Sequence, residues 1–151
     1  MDSTSSSAPW TLLEEARPAA HAPGMGGRKR RATYEALEAV PPHVLVPDIA
    51  GWRRERMPRT PRTAALTLAP DWVCEVLSPS TRTLDRTAKL PVYAREGVRF
   101  VWLVDPDARM LEVFRLEGSH YLLLATHAEQ ARLRAEPFGA LEWELALLWA
   151  E

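Results

Sequence analysis

Two carboxylates in this chain stand where carboxylates are costly. Asp48 lies between Val44-Leu45-Val46-Pro47 and Ile49-Ala50-Gly51-Trp52, and Glu75 interrupts Trp72-Val73-Cys74-Glu75-Val76-Leu77, two runs that are otherwise apolar. A carboxylate embedded in such a run is strongly destabilising unless a metal, a cation or a proton neutralises it. Acidic pairs converging from neighbouring strands are how hard divalent ions are held by oxygen. The plainer alternative is that each caps a turn or meets an arginine, and Arg53 is at hand for Asp48. Asp71 competes as the partner of Glu75. On one strand, however, residues 71 and 75 share a face roughly 13 Å apart, too far to share an ion. Asp71 therefore reads as a strand-entry residue.

Lys89 is the third residue of interest. Of 19 cationic side chains only Lys29 and Lys89 are lysine and the other 17 are arginine, so a lysine in an ordered-looking stretch invites a reason. Lys29 sits in Arg28-Lys29-Arg30-Arg31 and needs none. Lys89 falls on the helix expected directly after the Glu75 strand, from which it reaches back over the end of that strand. An Asp85 to Lys89 ion pair at i,i+4 is the competing explanation. Cys74 offers no competing chemistry: it faces away from Glu75 on the same strand, and the sequence places no histidine to activate it.

The elements that must position these residues follow from periodicity and punctuation. Val44 to Trp52 reads as a strand that Pro47 keeps from full pairing. Arg53 to Pro70 is a Pro- and Arg-rich connection, and Trp72 to Ser78 is a second, nearly all-apolar strand. Ser78-Pro79-Ser80-Thr81 offers hydroxyl caps for a helix to about Arg95 that Gly97 stops and Pro91 kinks or breaks. Phe100 to Val104 is a third strand, and Met110 to Leu116 pairs with Tyr121 to Ala125 as a hairpin across Glu117-Gly118-Ser119. Trp10 to Ala16 and Thr33 to Ala39 read as short helical pieces, and Leu141 to Ala150 as a C-terminal helix. This order describes an α/β or α+β sandwich with a mixed sheet over 41–151, preceded by a poorly ordered or degenerate segment 1–40.

Composition narrows the function classes. The chain has 151 residues with 46% hydrophobic and 26% charged side chains, enough for one domain with a real core. The apolar runs are too short for a membrane span and the Ser-rich start lacks the regions of a secretory signal, which predicts a cytoplasmic protein. A single cysteine excludes a disulfide framework and a thiolate-rich zinc site, and His21, His43, His120 and His127 show no metal-ligand spacing. Nineteen Lys+Arg against 20 Asp+Glu hide a gradient. Arg53, Arg54, Arg56, Arg59 and Arg62 form a basic loop, while the chain beyond Leu103 is acidic, so a polyanion would be contacted at one place.

The ordered series Val46-Pro47-Asp48-Ile49-Ala50-Gly51-Trp52, Ala69-Pro70-Asp71-Trp72-Val73-Cys74-Glu75-Val76-Leu77-Ser78-Pro79-Ser80-Thr81, Asp85, Lys89, Tyr93, Gly97-Val98 and Trp102-Leu103-Val104-Asp105-Pro106 resembles a large bacterial endonuclease family with a restriction-endonuclease-like PD-(D/E)XK core. The resemblance runs from about Val44 to Trp149. It implies a mixed sheet flanked by helices, with the N-terminal part shortened. It further implies that Asp48, Glu75 and the Val76 carbonyl bind Mg²⁺, or Mn²⁺ in its place. Lys89 would stand in for the motif lysine, since Leu77 occupies that position on the strand. DNA would be the partner, its phosphates touched by Arg53, Arg54, Arg56, Arg59 and Arg62, and a homodimer is an open arrangement. Two classes of function follow as expectations. One is a divalent-metal-dependent endonuclease acting on DNA. The other is a noncatalytic or truncated homologue kept as a nucleic-acid-binding or protein-interaction module.

Overall fold

The computed structural model describes residues 9–14, 33–35, 44–62 and 65–150. In chain order the elements are β1 (Trp10–Glu14), β2 (Thr33–Glu35), β3 (Val44–Leu45), β4 (Ile49–Arg53), β5 (Ala65–Leu66) and β6 (Trp72–Val76). A helical run follows, composed of α1 (Arg82–Leu84), a π turn (Asp85–Lys89) and α2 (Leu90–Arg95). The chain then forms β7 (Phe100–Asp105), β8 (Met110–Glu117), β9 (His120–Ala128), β10 (Arg132–Leu133), β11 (Trp143–Glu144) and a 3₁₀ turn (Leu145–Leu148).

Six strands make one mixed sheet in the order β1-β4-β6-β7-β8-β9. Strands β6 and β7 are parallel and joined by the helical run, while every other neighbouring pair is antiparallel. Strand alternation divides the core in two. Ala50, Trp52, Val73, Val101 and Leu103 face the helix and pack with Tyr93, Leu77 and Val98. Trp72, Cys74, Phe100, Trp102, Val104, Leu111 and Val113 face the other way, under Leu133, Ala135 and Leu145. Helical cover therefore lies on one face, and chain from Ala131 to Trp149 closes the second. The short sheets β3-β2-β5 and β10-β11 flank this body.

Four sequence-based expectations are corrected. Within the expected helical piece Trp10 to Ala16, whose remainder lies outside the described residues, residues 10–14 form an edge strand in register with Arg53 to Ile49. Its apolar residues split between the two faces, with Leu13 against the helix-side core and the Trp10 ring 5.0 Å from Phe138 on the other. Thr33–Glu35 is a strand rather than the start of a helix, and the remainder of that expected helix lies outside the described residues. The expected continuous strand from Val44 to Trp52 breaks in two at Pro47-Asp48. Leu141 to Ala150 forms β11 and a 3₁₀ turn in place of an α-helix, because Trp143 pairs with Leu133 and its ring stacks on Trp102, 6.0 Å away.

Gly51 explains how β1 closes over β4. A Cβ there would lie 3.0 Å from both Leu12 Cδ2 and the Trp72 ring, so a larger residue would press both side chains back.

Candidate active site

The acidic pair is assembled by register. In the antiparallel ladder Ile49 lies opposite Cys74, so the next position outward sets Asp48 beside Glu75. The ladder ends there because Asp48 Oδ2 accepts the Val76 N–H at 2.7 Å in place of a strand carbonyl. Pro47 suits this end, having no N–H to place in the ladder. Glu75 alternates with Val73 and Leu77 toward the helix and is 1% exposed.

The helix supplies the partners. Asp85, Lys89 and Tyr93 recur at i, i+4 and i+8 and turn one face toward β6. Lys89 Nζ lies 3.3 Å from Glu75 Oε1 and 2.8 Å from Asp85 Oδ1. The Tyr93 hydroxyl donates to the same Glu75 Oε1 at 2.5 Å. The Lys89 and Tyr93 contacts to Glu75 thus both fall on Oε1. Helix punctuation fixes the row. The wide π turn ends just before Pro91, accommodating a residue that cannot donate in a regular α turn. Past Arg95, Gly97 takes a positive φ of 77°, with its N–H on the Ala94 carbonyl and the Val98 N–H on the Tyr93 carbonyl. That is a Schellman stop, with buried Val98 and Tyr93 as its apolar contact.

Burial pushes the Glu75 carboxyl up to about 7, against the Tyr93 hydrogen bond and the Lys89 charge, which favour its ionised form; Asp48 and Asp85 add to the rise. Burial alone would lower the Lys89 ammonium, but the close Asp85 carboxylate and the Glu75 charge outweigh it and hold lysine above its ordinary value. Burial and then the Glu75 charge raise the Tyr93 phenol, so it remains a donor. The Cys74 thiol is also raised, first by burial, and it sits among Trp72, Phe100 and Trp102 on the opposite face. It is a core thiol.

The structure brings Asp48, Glu75, Val76 and Lys89 together, Val76 meeting Asp48 through its N–H. It places Arg53, Arg54 and Arg56 at the far end of β4 from that group. Arg53 ends β4, roughly 16 Å from Asp48 at the strand rise. Its guanidinium lies over the Trp10 ring at 5.0 Å, and Arg54 donates to the Trp10 carbonyl. Arg56 pairs with Asp71 at 2.6 Å and also donates to the Ala69 carbonyl. Asp71 in turn accepts the Arg53 N–H, the strand-entry role expected of it. Arg59 and Arg62 are exposed.

Oxygen chemistry fits the acidic pair to a hard ion. Among the described residues no group of three or more His, Cys, Asp or Glu is arranged to hold a metal. Two carboxylates without nitrogen or sulfur donors suit Mg²⁺, which keeps several waters and takes substrate oxygens for the rest. Sequence reasoning missed the contact of Tyr93 with Glu75. The i, i+4, i+8 spacing of Asp85, Lys89 and Tyr93 was its available signal.

A mixed sheet with a parallel β6-helix-β7 unit, an acidic pair at the end of β4 and β6, and a lysine on the helix define a restriction-endonuclease-like α+β protein. A crystal structure of a putative nuclease belonging to DUF820 from Anabaena variabilis has this fold at a TM-score of 0.65 and 21% identity, covering 93% of this chain and 68% of that one. The family model described as "Putative restriction endonuclease", Uma2, matches residues 26–148, and the chain belongs to that family. No curated protein matches it. Among the described residues no helix is long and apolar enough to cross a membrane.

Proposed function

We propose that the chain is a divalent-metal-dependent endonuclease that hydrolyses DNA phosphodiester bonds in the cytoplasm. The observation that supports this reading best is the meeting of Asp48, Glu75 and Lys89 at one end of the β4-β6 pair. Asp48 and Glu75, with the Val76 carbonyl, would hold Mg²⁺ or Mn²⁺. Bound there, the ion would supply Lewis-acid polarisation of a phosphoryl oxygen and a more acidic water.

The chain's own groups do the rest. The Val76 N–H fixes one oxygen of Asp48. Tyr93 holds one oxygen of Glu75 and so selects the rotamer of the whole carboxylate. The Lys89 ammonium, aimed at the same point, orients the nucleophile or offsets charge on the phosphoryl oxygens as it develops. Arg59 and Arg62 are the arginines left to phosphates of flanking nucleotides, because Arg53, Arg54 and Arg56 are engaged within the protein. Residue 53 stands roughly 16 Å from Asp48, about five axial phosphate steps of ~3.4 Å along one DNA strand, so this loop would contact DNA beside the cut rather than at it.

Incubation of the purified protein with plasmid and Mg²⁺ tests this. Nicking or linearisation is expected, and it should stop with EDTA and in Glu75→Gln. Cleavage that survives both would sink the metal-carboxylate reading. Salt-sensitive DNA binding without metal uptake or cleavage would favour the noncatalytic module.

A further inference from the structure

One ammonium serves two buried carboxylates. Lys89 Nζ is 2.8 Å from Asp85 and 3.3 Å from Glu75, and both acidic side chains are 2% exposed against 20% for the lysine. Resting on the metal reading, a conflict follows: a divalent cation on Glu75 places a like charge beside Lys89 and takes its partner. A lysine on a four-carbon stem would then swing to solvent. Asp85 offers a second carboxylate, its buried Oδ1 2.8 Å from Nζ and without a hydrogen-bond partner. It lies on the helix, outside the acidic pair, so its charge stays with the lysine. The nearby arginines are engaged elsewhere, Arg82 with Asp105 and Arg86 with Glu112. Among the described residues Lys89 is the cation on Asp85. The groups facing the ammonium are thus Asp85 and Glu75, with Tyr93 and Asp48 behind Glu75.

We propose that Asp85 is a positioning residue, a second buried carboxylate that keeps Lys89 beside the site when a divalent cation claims Glu75. The i,i+4 ion pair is then part of the machinery and not an alternative to it. In the metal-free protein the ammonium neutralises Glu75, and on metal binding it is left to Asp85 alone.

With Lys29 and Lys89 as the two lysines, lysine-labelled protein gives two side-chain ammonium signals by NMR, and Lys89→Met assigns them. The Lys89 signal is expected to be protected from exchange without metal, and to shift yet persist on addition of Mg²⁺. In Asp85→Asn it should persist without metal and vanish with Mg²⁺, and Asp85→Glu should restore it. Loss of the wild-type signal on Mg²⁺ addition overturns the proposal even if Asp85→Asn does not fold. Persistence of the signal in Mg²⁺-loaded Asp85→Asn overturns it too. In both cases the metal site itself stands, whereas spectra of the whole wild-type protein that Mg²⁺ does not move overturn the metal reading as well. Calorimetry gives a second readout. Asp85→Asn should weaken Mn²⁺ binding about 10-fold, the lower range for groups behind metal ligands, and should have no such effect in a Lys89→Met background. An equal loss in both backgrounds would mean that Asp85 acts as a bare charge and not through Lys89.

Discussion

The two ends of the β4-β6 pair each set an acid against a cation, and they do it differently. At the Arg53 end, Asp71 accepts the Arg53 N–H at 2.8 Å and an Arg56 nitrogen at 2.6 Å, near solvent. Both oxygens are occupied and the carboxylate is finished. At the Asp48 end, Glu75 is buried, carries its two contacts on one oxygen, and shares its lysine with Asp85. Its carboxyl is pushed up to about 7 by burial, which is what an acid short of positive charge does. An ion pair that satisfies every oxygen near solvent ties a loop down, whereas at Glu75 two donors crowd one oxygen of a buried carboxyl.

The contrast can be broken most severely at Asp48. Asp48→Asn should lower plasmid cleavage about 10³-fold or more while leaving thermal unfolding close to wild type, and a variant with undiminished rate would remove Asp48 from the site. Lys89→Met should cost about 10²-fold in kcat yet bind Mn²⁺ more tightly, since the competing ammonium is gone. Weaker Mn²⁺ binding in that variant would contradict the shared role of Glu75.

Protonation gives the third prediction. Glu75 binds metal only when ionised, so Mn²⁺ affinity measured by calorimetry should fall about tenfold per pH unit below about pH 7. Stability of the metal-free protein runs the opposite way. The folded state keeps the Glu75 proton between the unfolded value of 4.5 and about 7, so this contribution is full below 4.5 and lost as pH rises to 7. Glu75→Gln should remove that slope, worth roughly 2–3 kcal/mol across the window, in denaturant titrations at several pH values.

At the other end the effects are small and of another kind. Arg56→Ala should cost about 1 kcal/mol or less in stability, as a partly exposed pair does, and leave Mn²⁺ affinity unchanged. Arg59→Ala and Arg62→Ala should leave stability alone and each lower the salt dependence of DNA binding by about one counterion.

Much of this was legible in the sequence. Glu75 could be singled out because it broke an apolar strand, and Gly97 because a helix needs a left-handed stop. The strand-helix-strand order from Trp72 to Val104 was legible too, whereas the parallel direction of its two strands is a finding of the structure. The failures share a cause. Trp10-Thr11-Leu12-Leu13-Glu14 and Leu141 to Ala150 are short apolar pieces whose periodicity fits helix or strand, and distant aromatic contacts decide between them. Trp10 is held by Phe138 and Trp143 by Trp102, pairs that no local pattern reveals. The distance of the basic loop from Asp48 was not legible: Arg53 is five residues on, but an extended strand carries the two to opposite ends of β4. Tyr93 stood in the series that carries the family resemblance with no role of its own, and its hydroxyl on Glu75 ties a core ring to the site.

The central claim is that Asp48 and Glu75 jointly hold one divalent ion. Calorimetric titration of the metal-free protein with Mn²⁺ at pH 8 tests it most directly. One site per chain, lost in both Asp48→Asn and Glu75→Gln, is the predicted result, and a wild-type chain that takes up no Mn²⁺, or a site that survives both substitutions, would contradict it.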